Sequence, residues 1–133
     1  MKVCFRYNKS QLDDTQVEVL QEFCRFLQTQ NPLRKPLVIN FTTDRVGQMT
    51  TGVRMPHSKI FVLTDGRMLI DIMRTLSHEW VHEFQHQKLN VKEFQKTQDI
   101  GGPHENMANT LSGIFMKKFQ KKMPQYVKVM YQK

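Results

Sequence analysis

Residues Met68 to Lys88 read MLIDIMRTLSHEWVHEFQHQK. Leu69, Ile72, Met73, Leu76 and Trp80 recur at intervals of three and four, the period of an amphipathic helix. Inside that helix lies His78-Glu79-Trp80-Val81-His82. Successive helical residues are about 100° apart, so His78 and His82 stand one turn apart on nearly one face. Both imidazoles can therefore reach a single metal ion. Glu79 sits beside them, where a carboxylate can take a proton from a water on the metal and hand it to a leaving nitrogen.

Two ligands do not complete a catalytic zinc site, which usually has three from the protein and one open position. Glu105 follows His82 by 23 residues, in His104-Glu105-Asn106-Met107-Ala108-Asn109, directly after Gly101-Gly102-Pro103. Glycines followed by proline break one element and open a helix. A helix starting there and packed on the first would bring Glu105 to the metal. Asn109, one turn on, could then hydrogen-bond the back of a ligand histidine and fix its tautomer. His104 is the alternative ligand, although it would point about 100° away around the helix. His86 extends the histidine stripe, but ligands at i, i+4 and i+8 span about 12 Å along a straight helix, too far for one tetrahedral ion. Asp71 shares the face of His78 and either orients a ligand or anchors a loop, or is a solvated or capping carboxylate.

Outward from this core, Val17, Leu20, Phe23, Cys24 and Leu27 predict a helix from Asp13 or Asp14 to Thr29, ended by Asn31-Pro32. Leu37 to Phe41 predicts a strand. Met49 to Met55 and Ile60 to Leu63 predict a hairpin around Pro56-His57-Ser58. Asp65-Gly66 turns the chain into the histidine-bearing helix, which runs from Met68 to about Lys88. Asn90 to Asp99 is polar and expected as a loop, and a third helix is expected from Pro103 to Lys122. The pattern is that of one α+β domain over residues 1–133, a small sheet with three helices.

The chain has 133 residues, 39% hydrophobic and 24% charged, enough for one modest core and no second domain. No apolar run approaches the roughly 18–20 residues of a membrane span, and no secretory leader is visible, so a cytoplasmic protein without membrane contact is expected. Cys4 and Cys24 form no metal or disulfide pattern and are expected to pack in the core. The net charge is +8, and the six lysines 117, 118, 121, 122, 128 and 133, with no acidic residue after Glu105, supply most of it. This basic tail, residues 117–133, is either a solvated face or a surface for an acidic partner or nucleic acid.

His78-Glu79-x-x-His82 followed by Glu105-x-x-x-Asn109 resembles the gluzincins, the thermolysin-like zinc metallopeptidases. In that family the downstream glutamate is the third ligand, and an acidic residue four positions later supports a ligand histidine. Asn109 departs from this, keeping a hydrogen bond and removing a charge. Gly66-Arg67-x-x-x-Asp71-x-x-Arg74-Thr75-Leu76 and Asp99-Ile100-Gly101-Gly102 also resemble small HExxH proteins of tailed bacteriophages. The resemblance implies a minimal zincin-like domain, a short sheet packed on an active-site helix and a glutamate-bearing helix. It implies one Zn2+ held by His78, His82 and Glu105, with Glu79 catalytic, and a peptide or protein substrate paired with an edge strand of the hairpin. Family members add an oxyanion donor, for which His57, Tyr126 and Tyr131 are the candidates here. A phage origin would place the protein in the infected cell or the virion. The competing expectation is a zinc-braced phage structural or interaction protein without peptidase activity.

Overall fold

The computed structural model describes residues 2–47, 49–88 and 102–132. The elements are β1 (Val3–Arg6), α1 (Asp14–Gln30), β2 (Leu37–Thr42), β3 (Gly52–Met55), β4 (Lys59–Leu63), α2 (Leu69–Lys88) and α3 (Pro103–Lys122). A 3-10 turn, Pro124–Tyr126, and the short α4 (Val127–Met130) follow. The architecture is α+β: one four-stranded sheet and the helices packed on it. The Asn90 to Asp99 stretch lies outside the described residues.

Local chemistry accounts for the ends of the helices. Asp13 caps α1 through Oδ1, which accepts from the Gln16 N–H at 2.8 Å, while Gln16 Oε1 accepts from the Asp13 N–H at 3.0 Å. This reciprocal pair satisfies two N–H groups that have no intrahelical partner. Gly66 makes the turn before α2 with φ of 69°, a left-handed conformation that suits glycine. At the start of α3, Gly102 is extended and Pro103 occupies the first turn, where its missing N–H costs no helical bond.

The sheet order is β1-β2-β4-β3. β1, β2 and β4 run parallel, and β3 pairs antiparallel with β4 at one edge, Gly52 opposite Val62 and Arg54 opposite Ile60. Alternation decides the buried face: Leu37, Ile39, Phe41, Ile60 and Val62 are buried, while Val38, Asn40 and Phe61 between them remain part exposed. The helices cover the buried face, with Trp80, Phe23 and Phe119 among the largest enclosed side chains. Phe23 and Phe119 tie α1 to α3 edge to face at 5.0 Å. Trp80 donates its indole N–H to the Asn31 carbonyl at 2.9 Å, fastening α2 to the end of α1.

Gly52 brings β3 unusually close to α2. A Cβ there would lie 2.3 Å from Thr75 Cγ2 and 3.4 Å from Glu79 Cγ. Only a residue without a side chain lets the edge strand lie against the turn that carries Glu79.

Four expectations change. β1 was not foreseen, because Val3-Cys4-Phe5-Arg6 is too short to signal a strand until β2 pairs with it. β3 begins at Gly52 rather than Met49. Pro124 ends α3, as its missing N–H requires, but the chain recoils into the 3-10 turn and α4, whose Met130 is fully buried. Cys24 is buried, whereas Cys4 points to the open face of the sheet and is exposed. Among the described residues no helix is long and apolar enough to cross a membrane. Lys117, Lys118, Lys121, Lys122 and Lys128 are exposed.

Candidate metal centre

α3 packs along α2, and its first turn brings Glu105 over the His78–His82 face. Glu105 Oε2 lies 3.1 Å from His78 Nε2, and Oε1 lies 3.0 Å from His82 Nε2. The two Nε2 atoms are 3.1 Å apart. One donor atom from each residue falls within 4.8 Å of the others, and the three form a group able to hold a metal ion. His82 is 6% exposed, His78 18% and Glu105 24%, so the cluster is walled by protein on one side and open to solvent on the other.

The tautomer of His82 follows from its neighbours. Gln85 Nε2 donates to the His104 carbonyl at 2.9 Å, which turns Gln85 Oε1 toward His82 Nδ1, also 2.9 Å away. An amide oxygen only accepts, so Nδ1 carries a hydrogen and Nε2 is the ring nitrogen turned to Glu105. His82 Nε2, His78 Nε2 and the Glu105 carboxylate oxygens thus converge on one spot, each able to offer a lone pair to a metal ion. Two imidazoles and a carboxylate are a donor set suited to zinc, with a solvent-facing position left over.

Glu79 is buried against this cluster. Burial pushes its carboxyl up to about 8, and the negative charge of Glu105 adds to that; the Arg54 main-chain N–H, which donates to it, and the Arg54 charge act the other way. Burial also holds the His78 imidazole below its ordinary pKa, reinforced by His82, while Glu105 and the Asn109 side chain favour its protonated form.

Of the residues singled out in the sequence, the fold brings together His78, His82 and Glu105, with Asn109 hydrogen-bonded to His78. His104 contributes its main-chain carbonyl to Gln85 and does not belong to the three-residue group. Asp71 is not at the centre. It lies in the first turn of α2, where its carboxylate meets Arg74 at 3.4 Å and its carbonyl accepts from Arg67. Same-face reasoning placed it two turns before His78, a rise of about 10 Å, too far for its short side chain. Tyr126 donates to Glu18 on α1, and Tyr131 is 51% exposed beyond α4; neither joins the cluster. His57 sits in the β3–β4 hairpin, alongside a cavity that it shares with His86.

Sequence reading missed two groups. Gln85 lies three residues after His82 and so on its side of the helix, a signal that could have been used. The other is a buried polar network behind Glu79. Arg54 Nε donates to Glu83 Oε1 at 2.7 Å, and Ser58 Oγ donates to Oε2 at 3.0 Å. Gln87 donates to the same carboxylate and, through Oε1, accepts from the Arg34 and Lys35 N–H groups. No local pattern announces these partners, which come from four separate segments. No protein-family model, curated protein or solved structure matches this chain.

Proposed function

We propose that the protein is a zinc-dependent metallopeptidase. The observation that carries the proposal is the convergence of His78, His82 and Glu105, with Glu79 beside them. Zinc bound there would supply Lewis acidity and make water a nucleophile at neutral pH. His78, His82 and Glu105 would hold the ion, Gln85 and Asn109 orient the two imidazoles, and Glu79 is placed to take a proton from a water and hand it to the leaving amine. The Arg54 N–H steadies the Glu79 carboxyl, which keeps the base aimed while it exchanges protons. β3 is the sheet's edge, so an extended peptide can lie along it, adding main-chain hydrogen bonds next to Glu79.

The test is cleavage of a mixed peptide library by the zinc-loaded protein and by Glu79→Gln. The expected result is cleavage by the wild type and a loss of about 100-fold or more in the variant at unchanged zinc content. Equal cleavage by both would refute the assignment of Glu79, and no cleavage by either would leave zinc as a brace for the fold and refute the peptidase reading.

A further inference from the structure

Around His86, one turn beyond His82 on α2, lies a cavity of about 670 Å³ that the β3–β4 hairpin helps to line. Among the described residues its walls are Lys35, Pro36, Arg54, Pro56, His57, Ser58 and His86, and none of these is acidic. Glu83 lies behind the wall, fully buried, and its charge is matched by Arg54. Among the described residues Lys35 therefore gives the wall its one charge not matched by Glu83, and the rings of His57 and His86 add N–H donors beside it. The two prolines give it rigid apolar sides.

The cavity is built as well as charged. His57 and Ser58 adopt φ of 66° and 56°, left-handed values uncommon for residues with side chains. The Ser58 hydroxyl bond to Glu83 anchors this turn from inside the protein. The hairpin is thus held in a shape that keeps His57 at the cavity rather than relaxing around a glycine.

Its position relates it to the metal centre. His86 is one turn past His82, about 6 Å along the helix axis. A peptide lying on β3 advances about 3.3 Å per residue, so the cavity is met roughly two residues from the bond held over the histidine pair. We infer that this cavity is a subsite for a carboxylate of the substrate, either an acidic side chain or the chain's own C-terminus. The assignment rests on the metallopeptidase reading for the placement of the peptide, but binding can be measured without hydrolysis.

The experiment uses the full chain carrying Glu79→Gln, zinc-loaded, so that peptide is not consumed. Fluorescein-labelled alanine octapeptides with a single Glu or Gln walked through each position, each made as the C-terminal acid and amide, are titrated by fluorescence anisotropy. At one position, or at the terminus alone, the carboxylate form should bind at least about five-fold more tightly than its neutral counterpart; which one identifies the source. Adding Lys35→Gln with His57→Gln should bring that ratio to about one, and Lys35→Glu should invert it. No carboxylate preference, or one that persists in these variants, would overturn the inference. A preference that depends on Lys35 and His57 in a protein that cleaves nothing would instead leave the subsite standing and remove only the peptidase reading.

Discussion

The guanidinium of Arg54 lies 2.7 Å from the Glu83 carboxylate, with the two side chains 4% and 0% exposed. The same residue's main-chain N–H holds Glu79. One arginine therefore pins the edge strand to α2 and positions the proposed base. Removing one partner of a buried pair leaves an uncompensated charge, so Arg54→Met should cost about 3–5 kcal/mol in a urea unfolding experiment. Pairing it with Glu83→Met should recover much of the loss. A double variant no more stable than the single would show that the pair is not the source.

Gly52 and Thr75 make a second, purely steric prediction. In Gly52→Ala the new methyl would fall 2.3 Å from Thr75 Cγ2, which forces the strand outward. A loss of about 1–3 kcal/mol is expected, the range for overpacking. Thr75→Ser removes that methyl while keeping the hydroxyl that accepts from Arg67, and it should restore stability to Gly52→Ala. Absence of rescue would mean that the Phe61 carbonyl, 3.2 Å from the added carbon, is the harder contact.

Gln85 fixes which nitrogen of His82 carries the hydrogen. Gln85→Leu keeps the helix and removes the acceptor, so zinc affinity, read by competition with a chromophoric chelator, should fall by about 10–100-fold. Asn109→Ala should act in the same direction through His78. Unchanged affinity in both would mean that neither amide orients a ligand.

The metal-free protein should show the pH dependence of a carboxyl kept protonated by burial. Glu79 is raised in the folded state to about 8 from an ordinary 4.5, so between those values the folded protein holds a proton that the unfolded chain has released. Stability from this group is complete below about 4.5 and is lost as pH rises toward 8. Glu79→Gln, always neutral, should flatten that decline and leave the metal-free variant more stable than wild type at pH 8. Denaturation midpoints of the two proteins across this range provide the check; parallel curves would contradict the burial of a titrating Glu79.

The contrast between what could and could not be read in advance follows sequence distance. α1, α2 and α3 carry their own signals: a capping aspartate, a 3.6-residue period, a Gly-Gly-Pro break. His78 and His82 are neighbours on one helix, so their spacing alone predicts their meeting. Glu105 was expected at the site because the break before it starts a new helix, and Asn109 because it lies one turn further. The Arg54–Glu83 pair spans 29 residues and two element types, and nothing near either residue names the other. β1 is legible only through β2, and a shared helical face could not choose among the roles open to Asp71, because it says nothing about axial distance.

The most direct measurement of the central claim is the zinc content of the purified protein by inductively coupled plasma mass spectrometry, beside that of His78→Ala with His82→Ala. About one zinc per wild-type chain and almost none in the double variant is the predicted result. A wild-type chain that holds no zinc even after zinc is added, or a double variant that holds as much as the wild type, would contradict a metal centre at His78, His82 and Glu105.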